Sequence, residues 1–105
     1  MLVYDRGMRF EFTSPLWEWS SQGASWFFVT LPEEASEDLR EIPRMPRGFG
    51  AIKVRVTVGG TSWLTSVFPD SRTGGHWLPI KKAVRVAEGL EDGEPVAVRL
   101  ELVEL

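Results

Sequence analysis

Apolar and polar residues alternate with a period of two along most of this 105-residue chain, and the breaks in that period locate its helices and turns. In MRFEFT, Met8, Phe10 and Phe12 face one way and Arg9, Glu11 and Thr13 the other, as in a half-buried strand. Pro15 lacks a ladder donor, so the continuation LWEW is expected at an edge or a bulge. After the polar turn SSQGA, SWFFVTL is apolar on both faces and fits a strand near the centre of a barrel or sandwich. At Glu33 the period changes: Ala35, Leu39 and Ile42 fall on one helical face, acids crowd the first turn, and Pro43 ends the run.

AIKVRVTV alternates more cleanly than any other segment, and VGGT is a two-residue turn into TSWLTSVF, since glycine supplies the positive φ of primed turns. That turn predicts a register. Val58 should pair with Thr61, Val56 with Trp63, Val54 with Thr65 and Ile52 with Val67 on the core face. The other face then pairs Thr57 with Ser62, Arg55 with Leu64 and Lys53 with Ser66. PDSRTGG reads as a loop, HWLPI as a brief strand, KKAVRVAEG as a helix of about two turns capped by Gly89, and EPVAVRLELVEL as a last strand burying Val96, Val98, Leu100 and Leu102.

The order strand, Leu-Pro, helix, glycine turn, alternating strand occurs twice, in VTLPEEASEDLREI…GFGAIKVRVTV and in HWLPIKKAVRVAEGLEDGEPVAVRL. Leu31-Pro32 matches Leu78-Pro79, and Val54-Arg55-Val56 matches Val98-Arg99-Leu100. Chance similarity of strand and turn residues is one explanation; a barrel of two similar halves is the other.

Charge is unevenly spread around a net of −3 and a pI near 5.2. Residues 42–87 carry Arg44, Arg47, Lys53, Arg55, Arg72, Lys81, Lys82 and Arg85 against Asp70 alone, while acids gather in 33-EEASEDLRE-41 and beyond Glu88. Solvated faces would explain both blocks; a basic surface for an anionic partner is the sharper reading. The absence of cysteine excludes disulfides and thiolate chemistry. No stretch approaches the roughly 20 apolar residues of a membrane span, and the first ten residues lack a signal-peptide core. One cytoplasmic domain over residues 1–105 is the expectation.

His76 is the single histidine, so a catalytic triad would have to combine it with Ser66 or Ser71 and Asp70, without an elbow to expose the nucleophile. A metal site lacks a two-histidine spacing, and RGFG, VGG and TGG lack a phosphate-loop lysine and serine. No metal or cofactor is expected. The tryptophans at 17, 19, 26, 63 and 77 are either core packing or the walls of a pocket, and Trp17 and Trp19 share a face across Glu18.

LPIKKAVRVAEGLEDGEPVAV resembles the swapped-hairpin segment of AbrB/MazE-like regulators, with Glu94 where that pattern usually has aspartate. Glu94 should still cap the turn, less tightly. Over nearly the whole chain, through its F-x-F strand, WFFVTLP, Gly-x-Gly before KVRVTV, WLTSVFP and LPIKKAVR, the sequence resembles the family called domain of unknown function (DUF) 1905. The resemblance implies an all-β or β-rich α+β fold: a small closed double-split β-barrel of about six strands with two short helices, in two pseudo-repeated halves.

The function expected from these readings is a non-enzymatic module, monomeric, binding a small anionic or aromatic ligand or a protein segment. Its tentative site is Lys53, Arg55, Trp63, Ser66, His76, Trp77, Lys81 and Arg85. A DNA-binding regulator using Arg44, Arg47, Lys53, Arg55, Lys81, Lys82 and Arg85 on phosphates is the alternative. A small hydrolase or transferase around His76 is the second alternative.

Overall fold

The computed structural model describes residues 9–41 and 50–103; Met8, Ile42, Pro43, Arg44 and Arg47, used in the reading above, lie outside the described residues. The elements are β1 (Arg9–Pro15), β2 (Trp17–Ser21), β3 (Ala24–Thr30), α1 (Glu33–Arg40), β4 (Ile52–Val58), β5 (Thr61–Asp70), β6 (Gly75–Pro79), α2 (Lys82–Glu88) and β7 (Pro95–Leu102). All ladders are antiparallel in one curled sheet of order β1-β7-β4-β5-β6-β3-β2.

Two parts of the expected architecture need correction. The described strands number seven rather than about six, because the LWEW segment behind Pro15 forms β2, an edge strand paired only with β3. The sheet is also not closed: β1 and β2 stand at its two ends with no ladder between them, although only Leu16 separates them in the chain. Leu16 is buried at this corner, where its N–H donates to Glu94 O at 2.9 Å and its carbonyl accepts from Gly93 N at 2.8 Å. Both backbone groups of Leu16 are thus held by the turn before β7. Glu94 also caps that turn, accepting from Glu91 N at 3.2 Å.

The hairpin register is the predicted one at every position from Ile52↔Val67 to Val58↔Thr61. Only Gly59 of the turn has positive φ, at 58°, which is the II′ pattern. The core face buries Ile52, Val54, Val56 and Val58, and the outer face pairs Lys53 with Ser66 and joins Thr57 Oγ1 to Ser62 Oγ at 2.8 Å. Val96, Val98 and Leu100 of β7 are buried, and Leu102 packs partly against the core. Gly89 caps α2 in the left-handed region at φ 65°, with Leu90 N–H closing on Arg85 O at 2.9 Å.

The two repeats exchange strands. β3 of the first pairs with β6 of the second, and β4 of the first pairs with β7 of the second. Positions matched in sequence face each other across these ladders: Thr30 with Trp77, each just before Leu-Pro, and Val56 with Leu100. Antiparallel pairing of equivalent positions is what a local twofold relation between the halves requires. β5 completes the correspondence, its first part pairing with β4 and its last three residues with β6. It bends from one partner to the other as the chain does at Leu16.

Candidate functional site

β6 ends at Pro79, and past it β3 and β5 separate. Ile80 sits in the gap, donating its N–H to Phe27 O at 2.8 Å while its side chain joins the core. The chain then turns through Lys81 into α2, whose Val84 is buried and whose Lys82 and Val86 point outward. The result is a cleft of about 320 Å³ lined by Trp26, Phe27, Trp63, Leu64, Lys81, Lys82 and Arg85, and among the described residues no carboxylate joins them. Arg85 is fixed within it. Its guanidinium lies 3.9 Å from the centre of the Phe27 ring, and its Nε donates to Ile80 O at 3.1 Å. Among the described residues no ion pair engages Lys81, Lys82 or Arg85.

The tryptophans are not the core. Direct partners in an antiparallel ladder share a face, so Trp19↔Trp26, Trp17↔Phe28, Thr30↔Trp77 and Phe68↔Trp77 place four tryptophans and two phenylalanines on one surface. The face behind them carries Val29 and Leu78, both fully buried. The reading of tryptophan as core packing is therefore corrected: Trp17, Trp19, Trp26 and Trp77 form an outer aromatic wall. Only Trp63 packs against the core, and only in part. Within the wall Trp19 and Trp26 lie 5.0 Å apart between ring centres, and Trp77 meets Trp17 edge-on at 5.6 Å. Trp17 Nε1 donates to Thr30 Oγ1 at 2.9 Å. A groove of about 550 Å³ runs along it, with Pro69, Asp70, Ser71 and Arg72 on the far side.

Of the residues singled out from sequence, the fold brings Trp63, Lys81 and Arg85 together in the cleft and leaves the others elsewhere. Trp77 belongs to the wall. Lys53, Arg55 and Ser66 lie on the outer face of β4 and β5, beside Leu64 and Phe68. His76 is buried beneath α1, its Nδ1 3.0 Å from Ser36 Oγ. Two of the residues expected to join His76 in a triad have described partners elsewhere. Ser66 faces outward from its register opposite Lys53, and Asp70 accepts from the Arg72 backbone N–H at 3.0 Å. That backbone bond, ahead of the Arg72 guanidinium, holds the Asp70 carboxyl below its usual range. The described residues contain no cluster of histidine and carboxylate suited to a metal.

Lys82, expected only on phosphates in the DNA-binding alternative, lines the cleft, as do Trp26 and Phe27, which the sequence reading assigns to no site. Their signal was present in SWFFV, where an apolar run on both faces means that one face must leave the core. Ser36, the partner of His76, had no local signal at all. Among the described residues no helix is long and apolar enough to cross a membrane.

A model of the family described as domain of unknown function (DUF1905) matches residues 12–100, so the chain belongs to that family. No curated protein matches the sequence.

Proposed function

We propose that this DUF1905 protein is a non-enzymatic, monomeric, cytoplasmic binding module that holds a small planar anion in the cleft beneath α2. The observation that carries the reading is Arg85. It is stacked on Phe27 and tethered to Ile80 O, with Lys81 and Lys82 beside it, in a cleft that no carboxylate of the described residues lines. A guanidinium oriented in this way presents its outer donors to an oxyanion without further ordering of the side chain. Trp26 and Trp63 add apolar, aromatic walls suited to a flat ligand body. The finer fold reading, a double-split β-barrel, is supported by the exchange of β3 with β6 and β4 with β7 and by two strands that bend between partners.

The test is thermal unfolding with a panel of aromatic carboxylates and nucleoside monophosphates, using simple aliphatic anions as controls. At a ligand concentration about 100 times Kd the native state gains about 2.7 kcal/mol, a rise of about 10 °C or more for a domain this small. Arg85→Gln should abolish the rise. If no planar anion stabilises the protein, or Arg85→Gln responds as the parent does, the cleft is not the site.

A further inference from the structure

We propose that the cationic cleft and the aromatic wall act as one site for single-stranded nucleic acid, a phosphate resting on Lys81, Lys82 and Arg85 and adjacent bases stacking on Trp26 and Trp19. The inference rests on the cleft reading above and extends it onto the wall. Trp26 is the junction, lining both the cleft and the groove of the wall. Trp26 is 46% exposed and Trp19 52% exposed, their rings tilted at 37° with centres 5.0 Å apart. Neither ring serves the core. Indole faces that stay in water on a rigid sheet are platforms for any flat π-system, and every base has such a face.

Charge complementarity selects an anionic chain over a neutral one. Among the described residues no carboxylate lines the cleft, which makes it cationic, whereas in the groove of the wall Arg72 is paired with Asp70 and adds no net charge. A duplex does not fit this arrangement, because its base faces are occupied by one another; only an unpaired strand can place them on protein rings. The acids of α1 lie outside both grooves, and the net charge of −3 removes any general attraction for polyanions. Affinity must then come from a few phosphate contacts plus stacking. With three cleft cations the logarithm of affinity should fall with the logarithm of salt at a slope of about −2, far shallower than for a basic stripe.

Calorimetric titrations with an oligothymidylate of about eight residues, within the range of single-strand site sizes, with thymidine monophosphate, and with polyglutamate of similar length test the proposal. The oligonucleotide should bind at least about tenfold tighter than the mononucleotide, the effect of one added base stack. Trp19→Ala should remove that gain and leave the mononucleotide unchanged, Trp19→Phe should restore most of it, and Arg85→Gln should weaken both ligands. If length brings no gain, or Trp19→Ala has no effect, while planar anions still stabilise the fold, this inference fails and the cleft reading stands. If neither nucleotide nor other planar anion binds, both fail. Polyglutamate binding as tightly as the oligonucleotide would identify an acidic peptide as the partner and overturn the proposal.

Discussion

Glu88, at the C-terminal end of α2, reaches the β4–β5 turn and clamps the helix that carries Lys82 and Arg85. Its Oε2 accepts from Gly60 N at 3.2 Å and from Thr61 Oγ1 at 2.6 Å. Gly59, in the same turn, has φ of 58°, and a Cβ there would collide with Glu88 Oε1. Gly59→Ala therefore acts twice. The backbone cost of a left-handed non-glycine residue is about 1 kcal/mol. Pushing the Glu88 carboxylate out of its bonds adds about another 1 kcal/mol, the value of an ordinary hydrogen bond rather than a charged one, because Gly60 is exposed and water screens the carboxylate. The total is about 2 kcal/mol. In a Glu88→Ala background the second contribution is already gone, so Gly59→Ala should cost only about 1 kcal/mol there, a coupling measurable in a double-mutant cycle. Urea unfolding at constant m reports each value. Equal costs of Gly59→Ala in the two backgrounds would refute the clamp and leave backbone strain as the whole effect.

Truncating the wall and truncating the core should differ sharply. Phe10, fully buried, should lose about 3–5 kcal/mol as Phe10→Ala, whereas Trp19→Ala, with its ring about half in water already, should lose about 1–2 kcal/mol, both read from thermal or urea unfolding. Comparable losses would return the tryptophans to the core. Asp70 makes an acid-limb prediction. Its folded pKa is lowered, so the stability it contributes is complete above its unfolded pKa and disappears as pH falls through the lower, folded one. Asp70→Asn should flatten that part of the stability–pH profile, and an unchanged profile would mean that the Arg72 contacts do not persist in solution.

Local chemistry was legible in the sequence. A two-residue glycine turn leaves one register open to its strands, and period-two alternation decides which face is buried, so the β4–β5 pairing could be read residue by residue. Gly89 past an amphipathic turn marks the end of α2 for an equally local reason, the freedom of glycine at positive φ. The Leu-Pro repeat left chance and two related halves open, and its matched positions Thr30 and Trp77, and Val56 and Leu100, face each other across ladders, as related halves would place them.

Long-range geometry decided the rest. β3 is apolar on both faces, so alternation could not say which of them would meet the core; Val29, with Leu78 beside it on β6, occupies it, and the tryptophans are left outside. The corner between β1 and β2 is held by hydrogen bonds from Leu16 to the 93–94 turn, distant in sequence. Lys53 and Ser66 were rightly paired, yet a correct register places them on the outer face, away from Arg85. The burial of His76 on Ser36 joins two halves that the sequence keeps forty residues apart. Alternation and turn chemistry are properties of neighbouring residues and are written in order along the chain. The meeting of Trp26, Trp63 and Arg85 depends on where β3 and β5 part and on how α2 crosses that gap, and only packing of the whole sheet determines it.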